Sequence, residues 1–176
     1  MKIRVKKDDP DTLYNNYLDN HIQGVKDVFE NTMLPRLIED GIDNGTINEI
    51  RALIDEHDLS KYSDDEWSAY RNHFYDPEGH PRSHNIEFNK AWNHHQKCNP
   101  HHWQYWCLLQ DCDNPQLLAL EMPIEYVIEM LCDWQSAGAF YGNTAYEWYI
   151  KQKDRMILHE NTRALVEKYI GLFKNG

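Results

Sequence analysis

The sequence of 176 residues lacks any apolar run long enough to cross a bilayer, for which a helix needs about 20 consecutive residues. Its first segment, Met1–Asp11, also lacks the apolar stretch of a signal peptide. We therefore expect a cytoplasmic protein that has no membrane partner.

Closely spaced cysteines are absent as well. The four cysteines are Cys98, Cys107, Cys112 and Cys132, and none of them forms a Cys-x-x-Cys pair. A cysteine-rich zinc knuckle requires tighter pairing, and disulfides are rare in the cytoplasm. We therefore predict reduced, partly buried thiols.

Basic residues are few. There are 18 Lys and Arg against 29 Asp and Glu, and the formal net charge is −11. This balance argues against a broad phosphate-binding surface for duplex nucleic acid. It leaves room for a nucleotide at a metal site, because bound divalent cations would reverse the local charge.

The residues that are present predict an all-α fold. Hydrophobic residues make up 41% of the chain, which is enough for one substantial core. Apolar residues recur at three- and four-residue steps, as in amphipathic helices, and no segment alternates with period two for long enough to predict a strand. We predict a single-domain helical bundle over residues 1–176.

The predicted helices follow from these stripes and from helix-boundary residues. The first begins after Asp11–Thr12, and Pro35 kinks it or begins a new turn. Thr46–Glu49 and Ser63–Glu66 have the form of capping boxes. Asp76–Ser83 is predicted to be a loop. The remaining predicted helices cover Asn85–Lys97, a segment opened by His101–His102–Trp103, a segment opened by Met122–Pro123 and closed by Gly138 and Gly142, Ala145–Lys153 and Asn161–Phe173.

Metal-ligand residue types recur on several of these predicted helices. Imidazole and carboxylate groups suit Mn, Fe, Co, Ni or Zn, so we expect one or two divalent ions of this kind, or Mg. In the adjacent pair His57–Asp58, each residue can bind one of two nearby ions, or the carboxylate can bridge both. The candidate ligands are His21, His57, Asp58, His94, His95, His101, His102 and Asp133.

Each candidate also has a purely structural interpretation. A histidine on an apolar stripe, as at position 21, can be a hydrogen-bonded core residue. The others can cap helices, lie on the surface or form ion pairs. Burying all of them without a metal would be costly, however, and this favours metal binding. The sequence does not choose between His101 and His102; it favours His95 over His94, because His95 shares a face with Phe88 and Trp92.

At these residues the sequence resembles the HD-domain superfamily of metal-dependent phosphohydrolases. That superfamily orders its ligands as a histidine, an adjacent His-Asp pair and a later aspartate, all on helices. His21, His57–Asp58 and Asp133 match this order. Members with two metals have further histidines in the interval that holds residues 94, 95, 101 and 102 here.

The segment His57–Asp58–Leu59–Ser60–Lys61 also resembles the His-Asp-x-Gly-Lys motif of the cyclic-dinucleotide phosphodiesterases, with Ser60 in place of glycine. That branch's Gly-Tyr-Pro element is absent, so its substrate is not transferred. The chain is similar as well to an uncharacterised family of small phage and bacterial proteins with His-Asp-Leu-Ser-Lys and Asn-x-His-His-Trp blocks, the second being 99–103 here. A bacterial cell or a phage-infected host is then the expected setting.

The resemblance implies hydrolysis of a small phosphorylated substrate, a nucleotide or another phosphate ester. Asp58 would act at the metal, and Lys61 would contact the phosphate. Glu129 would orient a ligand histidine or accept a proton.

Other functions remain open at this point. Some members of the same superfamily use two irons for oxygenation. The metal could instead be structural in an interaction protein, a homo-oligomer included, or it could be absent, with the histidines forming a polar core. An interface could use the aromatic set Trp103, Tyr105, Trp106, Trp134, Tyr146, Trp148 and Tyr149, although such residues are more often core.

Overall fold

The structure, a computed structural model, describes residues 9–75 and 85–174. The loop predicted for Asp76–Ser83, with His80, and the neighbouring His84 lie outside the described residues. The α-helices are α1 (Pro10–Val28), α2 (Leu34–Glu39), α3 (Asn44–Asp55), α4 (Trp67–Phe74), α5 (Ile86–Cys98), α6 (Ile124–Tyr141), α7 (Ala145–Gln152) and α8 (Glu160–Tyr169). Short helical turns cover Phe29–Met33, Leu59–Tyr62, Trp103–Trp106, Lys153–Arg155 and Ile170–Phe173.

The all-α prediction is confirmed, and α6 is the central element. It packs against α1, α3, α7 and α8. Six consecutive residues on it, from Val127 to Cys132, are buried, and so is Gly138. Among the described residues, no helix combines the length and the apolar character needed to cross a membrane.

The buried side chains form two separate hydrophobic cores. The larger core joins the second half of α1 to α3, α6, α7 and α8, and includes Val25, Ile54 and Leu131. The smaller core joins the first half of α1 to α4 and α5, and includes Leu18 and Tyr70. Helix α1 therefore contributes to both cores, and His21 lies between its two contributions.

Two predicted capping boxes are wrong. Helix α3 begins at Asn44, because the Asp43 carboxylate accepts hydrogen bonds from the backbone N–H groups of Gly45 and Thr46, which are free donors at a helix start. Helix α4 begins at Trp67, and the structure shows no side-chain cap there. The Glu66 carboxylate is instead turned inward.

The helix predicted to start at His101 is also wrong, as is the expectation of no strand. A single 3₁₀ turn, Trp103–Trp106, leads into β1 (Cys107–Leu109), which pairs antiparallel with β2 (Leu117–Ala119). Strands of three residues are too short to show an alternating pattern.

The end of α6 was predicted correctly, and it has a clear backbone cause. Gly142 adopts the left-handed conformation with φ of 75°, as is common just after a helix. Gly138 lies inside the helix, where a Cβ would meet the backbone oxygen of Asn143 at 2.8 Å. The four cysteines are unpaired; Cys132 is buried and Cys107 half-buried, whereas Cys98 and Cys112 are exposed.

Candidate metal centre

A polar cluster lies between the two cores, where α1, α3, α5 and α6 meet. Helix α1 supplies His21, and the turn that follows α3 supplies His57 and Asp58. Helix α5 supplies His95, and α6 supplies Glu129 and Asp133, which are one turn apart. His101 and His102 come from the segment between α5 and the 3₁₀ turn.

Asp58 has an unusual backbone conformation. Its φ of 59° makes it left-handed, and it is the one non-glycine residue with positive φ among the described residues. Aspartate tolerates this conformation better than most residues, and such strain tends to persist where the surrounding structure fixes it. The turn ends the α3 segment and directs the Asp58 carboxylate into the cluster.

The first ligand group consists of His21, His57, Asp58 and Asp133. The Nε2 atom of His21 lies 3.1 Å from Asp133 Oδ1 and 3.4 Å from Asp58 Oδ2. The Nε2 atom of His57 lies 3.4 Å from that of His21 and 3.5 Å from Asp58 Oδ2. Ligands at metal distances of 2.0–2.2 Å lie about 3.0–3.5 Å apart, so this spacing can hold an ion.

The second ligand group consists of Asp58, His95, His101 and His102. Oδ1 of Asp58 lies 3.2 Å from His95 Nε2 and 3.5 Å from His101 Nε2. These three atoms and His102 Nε2 are all buried, and apart from the contacts just given none makes a hydrogen bond in the described part of the chain. Buried polar atoms without partners are costly, and a cation bound by all four would satisfy them. Asp58 belongs to both groups, one oxygen facing each.

The opposite ring nitrogens of the ligand histidines have partners. Glu129 Oε1 lies 2.9 Å from His57 Nδ1 and 3.0 Å from His101 Nδ1. Ser136 Oγ donates to the His21 backbone oxygen at 2.9 Å and lies 3.3 Å from His21 Nδ1. Protons on Nδ1 then leave each Nε2 lone pair free for a metal, the arrangement by which outer residues orient ligand histidines.

Glu66 orients His95 through its Nδ1 atom in the same way. The sequence did not predict this role of Glu66. This fully buried carboxylate lies 2.8 Å from His95 Nδ1 and 2.7 Å from His94 Nδ1. Asn99 adds hydrogen bonds to Ser60 and to the His95 backbone oxygen. Glu66, Ser60, Asn99 and Ser136 are polar residues of common types, and only their positions in the fold identify them.

The structure brings all but one of the candidate ligands into the two groups. The exception is His94, whose side chain is 37% exposed and turned toward Asp65 and Glu66. Glu129 and Lys61 both contact the groups. A third possible group is formed by His57, His101 and Glu129. Its atoms already contact each other directly, by the His57–Glu129 hydrogen bond and the 3.0 Å contact between His101 and Glu129.

Lys61 provides a positive charge at the centre. Its side chain is largely buried, and its ammonium contacts Asp58 Oδ2. Burial opposes the charged form, but the carboxylates of Asp58 and Asp133 outweigh it and raise the pKa of Lys61. The ammonium therefore stays charged beside the shared carboxylate.

Burial and charge divide the histidines into two kinds. Burial disfavours protonation of His21, but the hydrogen bonds that its protonated ring donates to Asp133 and Asp58 outweigh burial and raise the pKa of His21 to about 9. Burial opposes protonation of His95 as well, but the negative charge of Asp58 outweighs it and raises the pKa of His95. Burial prevails at His101 and lowers its pKa to about 4, and it lowers that of His102 as well.

The carboxylates also differ. Burial raises the pKa of Glu129, since the hydrogen bond from His57 only partly offsets it. At Asp58 and Asp133 burial works in the same direction, but the neighbouring histidines outweigh it and hold both pKa values below the usual range. Two ionised carboxylates and five histidine rings therefore make up the two groups.

Comparisons with known proteins give a family but no activity. No curated protein and no solved structure matches the chain. A family model covers residues 11–172, nearly the whole chain, and its description is a family of unknown function. The chain belongs to that family, DUF5662.

Proposed function

We propose that the protein is a metal-dependent phosphohydrolase of the HD type, acting on a small phosphate monoester at two divalent cations that share Asp58. The observation that carries the proposal is the set of buried Asp58, His95, His101 and His102 atoms without hydrogen-bond partners, next to a second group of metal-like spacing. The order His21, His57–Asp58, Asp133 supports the HD assignment.

The donor atoms favour a transition metal. The second group offers three imidazoles and one carboxylate oxygen, and the first offers two imidazoles and two carboxylates. Imidazole suits Mn, Fe, Co, Ni and Zn, whereas Mg²⁺ prefers oxygen ligands and water. Bound cations of this kind supply a water of lowered pKa and neutralise phosphoryl oxygens.

The chain's own residues have separate roles in this proposal. Glu129 and Glu66 fix the orientation of His57, His101 and His95. Lys61 offers an ammonium to a phosphoryl oxygen near Asp58, and such a charge stabilises the transition state most in a buried site. In the reaction the oxygen of a water molecule bonds to phosphorus and the ester P–O bond breaks. One proton of that water passes to the departing alcohol, so the products are inorganic phosphate and the alcohol.

The test is a phosphate-release assay of untagged protein with Mn, Fe, Co, Ni, Zn and Mg over a panel of phosphomonoesters. We expect turnover with at least one transition metal, and its loss in His57→Ala and Asp58→Ala. His159→Ala is the matched control, because His159 is half-buried beside Glu121 and is in neither ligand group. The proposal is wrong if no ester is hydrolysed with any metal, or if both site variants keep full activity while circular dichroism shows them folded.

A further inference from the structure

A cavity of about 520 Å³ opens beside the metal centre. It lies between α5, the turn Trp103–Trp106, α6 and α7. Asp133 of the first ligand group and His102 of the second both line it. Pockets of 300–1,000 Å³ are typical of small-molecule sites. A molecule in this cavity would therefore lie next to both groups at once.

Tryptophans form much of the cavity wall. Four of the six in the chain line it, namely Trp92, Trp103, Trp134 and Trp148. All four are half-buried, and none of their indole N–H groups has a partner among the described residues. The other two differ: the indole nitrogens of Trp67 and Trp106 donate to Asn15 and to the Pro100 backbone oxygen. Trp134 and Trp148 also pack against each other, with ring centroids 4.8 Å apart. What the four indoles offer to a ligand is therefore their cavity-lining surface and N–H groups that have no protein partner.

Polar groups accompany the indoles. Gln104, Asn143 and Gln152 also line the cavity, and the buried Oε1 of Gln104 has no hydrogen-bond partner within the described chain. Arg155 lines it from an exposed position, and it makes no ion pair with any described residue. Amide side chains carry both donors and acceptors. Such groups between aromatic faces match a flat ring whose edge carries donors and acceptors, and they match an aliphatic chain poorly.

We infer that this cavity is a subsite for the heteroaromatic ring of the substrate's alcohol, so that the substrate is a nucleoside monophosphate. The inference rests on the proposed function for the placement of the phosphate, at the side formed by Asp133 and His102. The base stacks on indole faces, and the amides contact its edge. An aromatic side chain can stack on any of the bases. The presence of a base therefore contributes more to affinity than its identity does.

The test measures binding apart from turnover. Isothermal titration calorimetry of the metal-loaded protein would compare nucleoside 5′-phosphonates, which resist hydrolysis, with the ring-free ribose phosphonate. We expect the nucleoside compounds to bind more tightly. Trp148→Leu should weaken their binding roughly tenfold, the usual effect of removing one stacked aromatic group, and leave the ribose compound unchanged. Trp148→Phe should restore most of the loss.

Trp67→Leu is the matched control, because Trp67 lies in the smaller core and not in the cavity wall. The inference is overturned if the ribose compound binds the unaltered protein as tightly as the nucleoside compounds, or if Trp148→Leu weakens both equally. The two proposals fail separately. Tryptophan-dependent binding without any phosphate release contradicts the hydrolase alone, whereas equal turnover of ribose 5-phosphate and nucleoside monophosphates contradicts the subsite alone.

Discussion

The Nδ1 atom of His57 lies 2.9 Å from Oε1 of Glu129, a residue 72 positions further along the chain. The same oxygen lies 3.0 Å from Nδ1 of His101. His57 belongs to the first ligand group and His101 to the second. One buried carboxylate oxygen therefore orients a ligand histidine in each group.

We predict that Glu129→Ala weakens the binding of both metals. Removing an outer partner of a ligand histidine typically costs 10–100-fold in metal affinity, and here two histidines lose the same partner. Competition with a chromophoric chelator measures both affinities. Glu125→Ala, one turn earlier on α6, is the control and should leave them unchanged. Selective loss of one ion would contradict the shared role of Glu129.

Metal stoichiometry should separate the two groups. We predict two ions per chain in the unaltered protein, one in His21→Gln, which removes a ligand of the first group, and one in His95→Gln, which removes a ligand of the second. Asp58→Ala should lose both, because each group uses one of its oxygens. Mass spectrometry of metal content after dialysis gives the counts. A single ion in the unaltered protein would exclude the two-metal arrangement.

Acid should destabilise the metal-free protein through His101. The pKa of His101 is lowered to about 4 in the folded state, and an unfolded histidine titrates near 6.5. Between these values the unfolded chain binds more protons, so the free energy of unfolding falls as the pH falls from about 6.5 to about 4. The upper bound is about 3 kcal/mol. Urea unfolding at several pH values measures this slope.

His101→Gln provides the check on that slope. We expect the variant to have lower stability at neutral pH, because the contact of His101 with Glu129 is lost, and to show a shallower dependence on pH in the same window. An unchanged slope would mean that His101 does not contribute to it. His102 shifts in the same direction, so some slope remains in the variant.

Metal binding should release protons at neutral pH. The pKa of His21 is raised to about 9 by its carboxylate partners, so the metal-free protein holds a proton there at pH 7. A metal ligand must be deprotonated, and affinity should therefore rise with pH up to about 9. Calorimetry in buffers of different ionisation heat counts the protons. His21→Gln should release fewer of them, and an equal number would contradict the prediction.

Gly24 allows α1 and α6 to approach closely at the His21 ligand. A Cβ at this position would lie 2.5 Å from Ser136 Oγ, the atom that bonds the His21 backbone. Overpacking of this kind costs about 1–3 kcal/mol, against about 1 kcal/mol gained from the better helix propensity of alanine. We predict that Gly24→Ala lowers the free energy of unfolding by about 1 kcal/mol and reduces metal affinity.

Two controls test whether the contact with Ser136 causes the effect of Gly24→Ala. Gly171→Ala should be close to neutral, since a Cβ there meets no atom of the described residues within 4 Å. In a Ser136→Ala background, Gly24→Ala should cost less, because the nearest remaining Ser136 atom, Cβ, is 3.4 Å away. If Gly24→Ala costs the same in both backgrounds, the contact with Ser136 is not its cause.

Helical periodicity predicted the elements that carry most of the site. The stripe of α1 places His21 inside, and α5 and α6 follow their predicted bounds closely. The apolar face shared with Phe88 and Trp92 also distinguishes His95, which is buried, from His94, which is not. The burial of His21 and His95 depends on the positions of residues three and four apart in the chain, and these can be read directly from the sequence.

Long-range partners could not be predicted in the same way. Glu66 fits a local capping box, and only the packing of α4 against α5 turns its carboxylate toward His95. The left-handed turn at Asp58 and the hairpin after Trp106 have no periodic pattern. Which histidine faces which oxygen depends on the chain path between α5 and α6, where proline and short strands replace regular helix.

The position of the metal centre between the two cores has a consequence for cooperativity. Apart from α1, which enters both, the described parts of the two cores are joined across a layer of charged and polar side chains, in which His21, His95 and Lys61 face the carboxylates of Asp58 and Asp133. His95 belongs to the side of the smaller core and His57 and Asp133 to that of the larger. A cation bound across this layer adds contacts between the two halves, so we expect it to make their unfolding more cooperative than it is in the metal-free protein.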